Sequence, residues 1–211
     1  MLINKQVNVM LGEISQMFID KEDELSKYDA VIGDGDHGIT MTRGAKAAWG
    51  KVQFMEEEEI SEQFKAYGRT MIAELGGAIG PLFGTIFLEL GKASKGAETF
   101  DANGMAKGIT NAKEKIMKLG GAKVGDKTMV DSIAPTSEVL LNSTENNLSF
   151  LNVLENAEEA ALKGLESTIP LRAKKGRSKY LEERAIGHQD AGATSFYYMV
   201  KTINNYVKAV V

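Results

Sequence analysis

Three aspartates, Asp29, Asp34 and Asp36, fall within eight residues in the spacing D-x4-D-x-D, interleaved with Gly33, Gly35 and Gly38. Carboxylates gathered this closely repel one another, and a bound divalent cation removes that repulsion. Hard oxygen ligands with room for water and phosphate suit Mg2+. Calcium in an EF-hand fails the spacing test. With Asp34 as loop position one, position twelve is Ala45, which has no carboxylate to offer. The run Gly33-Asp34-Gly35-Asp36-His37-Gly38 also satisfies G-x-G-x-x-G formally, but that fingerprint lays pyrophosphate on bare backbone, and two aspartates would face the anion. Phosphate can approach this turn only with a cation in between.

Other segments supply the complementary chemistry. Gly76-Gly77-Ala78-Ile79-Gly80-Pro81 puts flexible backbone ahead of a proline suited to a helix's first turn, leaving N–H groups free for an anion; close packing through small residues explains it equally well. Gly125-Asp126-Lys127-Thr128 resembles the end of a P-loop, but Asp126 intrudes before the lysine and the first glycine is misplaced, so Walker A is rejected. Residues 172–190 carry Arg172, Lys174, Lys175, Arg177, Lys179 and Arg184 against Glu182, Glu183 and Asp190, a net of +3 in a chain of net −4. Such a loop can set basic charge against phosphoryl oxygens. His37 and His188 are the only histidines, each near an aspartate in a glycine-containing turn.

The elements that must hold these groups are helices. Apolar stripes at helical spacing run through Ile3–Phe18, Ile60–Leu75, Leu82–Leu90, Met105–Leu119, Leu151–Leu165 and Phe196–Val207, and shorter helices near 39–49 and 129–142 make eight. No alternating run demands a strand, so the expected class is all-α, an antiparallel up-and-down bundle. Ser61, Asp101 and Ser149 are expected to open helices and Gly120-Gly121 to close one. Asp29–Gly38, Gly76–Gly84, Gly120–Thr128 and Leu171–Gly192 interrupt the rhythm after alternate helices and can therefore meet at one rim. Few prolines (3) beside 22 glycines suit long helices, with the glycines expected in loops. No composition break divides residues 1–211, so a single domain is expected. The absence of cysteine excludes disulfides, thiolate catalysis and Cys-ligated metals. A net charge of −4 argues against nucleic acid. With neither a secretory leader nor an apolar span, a cytoplasmic protein free of the membrane is expected.

Taken together, Tyr28–Gly38, Gly76–Ala78, Gly80–Thr85, Gly125–Met129, Lys175–Arg177 and Ile186–Asp190 closely resemble, in order, the nucleotide-binding L subunit family of bacterial dihydroxyacetone kinases. The resemblance implies an eight-helix barrel with ADP, or ATP, and two Mg2+ ions at one rim. It implies Asp29, Asp34 and Asp36 as magnesium ligands. His37, Gly38, Ile39, Thr40, Ala78, Ile79 and Gly120 would surround phosphates and ribose, and Met129 would face adenine. Arg177 would come from the closing loop with Asp190, Ala191 and Gly192, and would offset transition-state charge. The implied partners are a K-type subunit that holds the sugar on a histidine and a phosphohistidine protein of the phosphotransferase system, with ADP kept as a coenzyme. An ATP-exchanging subunit is the alternative within the family. Ile79, Ala191 and Glu183 replace the family's usual serine, proline and glycine, which suggests a paralogue with an altered partner or sugar. They also keep open a second class of function, a nucleotide-loaded interaction module.

Overall fold

The computed structural model describes the backbone of residues 1–211 and every side chain except those of Arg177, Leu181 and Glu182. Among the described residues there are nine α-helices and one 3-10 helix: α1 (Asn4–Asp20), α2 (Glu22–Ile32), α3 (His37–Val52), α4 (Ile60–Glu74), α5 (Ile79–Ala93), α6 (Ala102–Gly120), α7 (Val130–Glu145), α8 (Phe150–Ser167), the 3-10 helix Arg177–Ala185, and α9 (Ala191–Val210). The extended pairing is one isolated bridge between Leu2 and Phe100. The all-α class holds, and the expected eight-membered ring is present: α1 packs on α3, each helix from α3 to α9 packs on the next, and α9 returns to α1. The ninth helix is an addition. The first stave bends at Lys21, where α1 gives way to α2, which leans on α3, α9 and the 3-10 helix. No helix is long and apolar enough to cross a membrane among the described residues.

Apolar stripes close the barrel's interior. Phe18 meets Phe83 edge-on at 6.0 Å and Tyr67 lies 4.4 Å from Phe87, ring centroid to centroid, geometries that aromatic pairs favour. The buried Tyr67 hydroxyl is satisfied by Ser15 Oγ at 2.8 Å, as a polar group in an apolar interior requires. Asp101 and Ser149 cap α6 and α8 through Gly104 N (2.9 Å) and Asn152 N (3.2 Å), and Gly121 ends α6 in the left-handed region. Ser61 does not cap: α4 begins one residue earlier, after Glu59.

The glycines correct the expectation that they serve loops. Many sit inside helices where a side chain would collide with a neighbour. A Cβ on Gly68 would lie 2.7 Å from the Gly84 carbonyl oxygen, and one on Gly84 equally close to that of Gly68, so α4 and α5 cross backbone to backbone. Gly38, in the first turn of α3, is tighter still: a Cβ there would fall 1.9 Å from the Glu22 carbonyl oxygen. Backbone must yield, so Gly38→Ala is expected to cost about 1–3 kcal/mol by overpacking, read as a lower denaturant midpoint with unchanged slope. An unchanged midpoint would show that α2 can move aside freely.

Candidate functional site

The four interrupting segments do meet at one end of the barrel, around a cavity of about 460 Å³. Its wall takes Asp29, Asp34, Asp36, His37 and Thr40 from the first segment and its flanking helices, and Gly76 to Ile79 from the second. Ala122 and Lys127 to Val130 come from the third, and Lys175, Gly176, Ser178 and Asp190 to Gly192 from the fourth. In an up-and-down barrel the connections at this rim all lead into helix starts, so α3, α5, α7 and α9 each present an N-terminus here. The positive end of each of these helix dipoles therefore borders the same space.

Opposite them stands the acidic triad. One carboxylate oxygen from each of Asp29, Asp34 and Asp36 lies within 4.8 Å of the others. Asp29 belongs to the last turn of α2 rather than to a loop, where the negative end of a helix adds to the carboxylate charge and makes a cation welcome. Gly33 permits the arrangement: a Cβ there would sit 2.2 Å from Asp29 Oδ1, so any side chain would displace that carboxylate. Gly35 (φ 78°) turns the chain between Asp34 and Asp36 in a conformation that L side chains resist. Three oxygen donors converging beside an open cavity bordered by helix starts fit a divalent metal that also holds phosphate.

His37 occupies the wall differently from a phosphate contact. It is buried, its Nε2 lies 2.7 Å from Ser195 Oγ of α9, and desolvation pulls its pKa down to about 4. The imidazole is neutral at physiological pH and links α3 to α9. Its backbone N–H donates to Asp29 Oδ2 at 3.3 Å, tying α3's first residue to the triad. Asp190 caps α9 by accepting Ala193 N–H at 2.7 Å; desolvation raises its carboxyl to about 6, with Ala193 N–H and the Lys127 charge opposing.

Lys127 is a residue whose importance the linear pattern concealed. Its backbone is left-handed (φ 60°) and its side chain fully buried. The ammonium donates to the Thr168 carbonyl at 2.6 Å and to the His188 carbonyl, which staples the third segment to the fourth. Desolvation lowers its pKa while Asp190 and Asp131 oppose that shift. Asp131 organises the same turn, accepting from Gly125 N (2.5 Å) and Thr128 N (2.7 Å). In the sequence the lysine stood in a rejected Walker motif and in the family-like run Gly125–Met129, with no role of its own.

Of the site residues expected from sequence, Asp29, Asp34, Asp36, His37, Thr40, Ala78, Ile79, Gly120, Met129, Asp190, Ala191 and Gly192 line the cavity. Two do not. Gly38 is consumed by packing against α2 and Ile39 is 55% exposed on the outside of α3. The Arg177 side chain lies outside the described residues. His188 contributes its carbonyl oxygen, not its exposed ring. Arg43 was missed: it lines the cavity and its Nε donates to the Glu74 carbonyl at 3.2 Å. Its spacing, three residues after Thr40 and six after His37, was the available signal.

A helical barrel with four helix N-termini and a carboxylate triad around one open end has the groups to receive a metal-bound phosphate. The chain belongs to the DAK2 domain family, whose model matches residues 31–205. It is 36% identical over 202 residues to the PEP-dependent dihydroxyacetone kinase ADP-binding subunit DhaL of Escherichia coli, covering 96% of both chains. It is 40% identical over 198 residues to the corresponding subunit of PEP-dependent dihydroxyacetone kinase 1 of Listeria innocua, covering 91% of this chain and 93% of that one. Among solved structures, the dihydroxyacetone kinase of C. freundii in complex with AMP-PNP and Mg2+ superposes with a TM-score of 0.69 at 25% identity. That match covers 94% of this chain and 33% of the kinase, so this chain spans about a third of that protein.

Proposed function

We propose that this chain is the ADP-binding subunit of a kinase for dihydroxyacetone or a related short-chain keto sugar, passing a phosphoryl group to a substrate held on a separate K-type subunit. The observation that carries the reading is the triad of carboxylates within 4.8 Å at the mouth of a cavity ringed by helix N-termini. Similarity over almost the entire length of free-standing ADP-binding subunits supports the phosphotransferase-system form, with ADP kept as a coenzyme and rephosphorylated by a phosphohistidine protein. A cytoplasmic location belongs to the same reading.

In this assignment Asp29, Asp34 and Asp36 hold magnesium, two ions in the full site. The metal, when bound, offsets the negative charge of the phosphate oxygens and so lowers the cost of bringing a nucleophile to them. The chain's own groups position and enclose. Backbone N–H groups at the start of α5 donate to phosphate oxygens, and Ile79 contributes backbone rather than a hydroxyl. Met129 with Gly120 and Ala122 offers an apolar slot for adenine. The Lys127 staple holds the fourth segment over the nucleotide, and Arg177 is assigned to that segment as the cation that meets transition-state charge. His37 serves no proton transfer, because its neutral ring is committed to Ser195. Catalysis of this kind rests on alignment and electrostatics rather than on a base.

Comparing native with denatured mass tests the reading directly. Retained ADP with magnesium is the expected result, together with phosphoryl transfer from a phosphohistidine carrier when a K-type subunit is supplied. Transfer that requires exchange of free ATP would reassign the donor. Tight binding to a regulator without any transfer would favour the interaction module.

A further inference from the structure

α2 carries Asp29 yet is held unlike the other helices. Only Leu25 and Ile32 of its eleven residues are buried, so apolar packing gives little control over its rotation about its own axis. The polar tie between α2 and α9 comes from one carboxylate. Glu24 accepts from Lys21 Nζ at 2.6 Å, from the Tyr28 hydroxyl at 3.3 Å, and from the hydroxyl of Tyr198 on α9. The Lys21 ammonium also sits 5.1 Å from the centroid of the Tyr198 ring. All four side chains are half-buried, and among the described residues none of the four lines the cavity.

Glu24 precedes Asp29 by five residues, about 7.5 Å along a continuous helix. A helix is stiff over that distance, so a directional set of hydrogen bonds at its start sets the bearing of its last turn. Charge-assisted bonds are suited to this because they fix angle as well as distance. On the far side, the close approach of Gly38 to the Glu22 carbonyl limits how α2 can shift against α3. We infer that Glu24, Tyr198 and Lys21 are positioning residues: they latch α2 to α9 and thereby aim the Asp29 carboxylate at Asp34 and Asp36. The inference rests on the metal-binding reading of the triad.

The test uses the full chain loaded with ADP and follows Mn2+ binding by electron paramagnetic resonance in Tyr198→Phe, Glu24→Gln and Asp29→Ala. Loss of groups that orient a ligand from behind typically weakens metal binding by 10–100-fold. Each latch variant is expected to bind Mn2+ about tenfold more weakly, with helicity unchanged by circular dichroism. In reconstituted transfer assays with Mg2+, the metal concentration for half-maximal rate should rise while kcat at saturating Mg2+ stays at the wild-type value. A purely structural role would not produce that split. Tyr198→Phe removes a single oxygen and decides the matter if Glu24→Gln folds poorly. Wild-type Mn2+ affinity in the latch variants, alongside loss in Asp29→Ala, would overturn the latch and leave the metal site standing. Undiminished affinity in Asp29→Ala would overturn the metal reading and the latch with it.

Discussion

Replacing Asp34 or Asp36 with alanine is expected to abolish retention of magnesium and nucleotide while leaving the helical barrel intact. Each contributes an oxygen to a cluster in which all three lie within 4.8 Å, and neither belongs to the apolar core: Asp34 is exposed and Asp36 half-buried at the start of α3. In the metal-free protein the three like charges oppose one another, so deleting one relieves that repulsion. With the metal lost, phosphate would meet the two remaining carboxylates directly, which converts an attractive site into a repulsive one. The expected pattern is therefore a variant with unchanged far-ultraviolet circular dichroism, no copurifying ADP and no phosphoryl transfer. A variant that still carried ADP and turned over would refute the metal assignment.

The second large effect lies beneath the site. Lys127→Met should lower global stability by about 3–5 kcal/mol, the usual result of removing one partner from a buried charged network. Methionine matches the length of the aliphatic chain, so packing is nearly preserved and the loss isolates the ammonium. Its removal strips the Thr168 and His188 carbonyls of their donor and leaves Asp190 and Asp131 without the nearby positive charge that opposes their burial. The damage should be directional. Because the bonds join the third and fourth segments, hydrogen exchange in residues 171–190 should accelerate more than in α4 or α5, and ADP should dissociate faster. Equal protection across the chain and a wild-type denaturant midpoint would mean that the remaining ties, Lys174 Nζ to the Gly125 carbonyl at 2.9 Å and Lys174 N to the Asp126 carbonyl at 3.1 Å, hold the segments unaided.

Much of this site could be read from linear spacing because its three clustered carboxylates are close in sequence. Asp29, Asp34 and Asp36 fall in one short stretch, and the glycines between them announce a turn. The helical class was equally accessible, since a stripe repeating every 3.6 residues reports on one face of one helix. The bend at Lys21 escaped notice for a related reason. Residues Glu22–Ile32 hold few apolar groups, and a helix retained by a polar cluster leaves no stripe to detect. Gly38 and Ile39 were expected at the phosphates because the family resemblance implied it, but the helical rotation of α3 turns one into α2 and the other toward solvent.

Residue spacing alone was sufficient for the class of the fold, the acidic triad and the meeting of four segments at one rim, because each follows from periodicity or from the parity of an up-and-down chain. The burial of His37 on Ser195, the conversion of Lys127 from a discarded motif into a staple, the suspension of α2 from Tyr198 and the crowding of helix glycines against neighbouring backbone all needed the assembled barrel. Those contacts join residues separated by 158, 61 and 174 positions in the first three cases. Partners so far apart leave no local periodicity, and only the packing of helix against helix brings them within bonding distance.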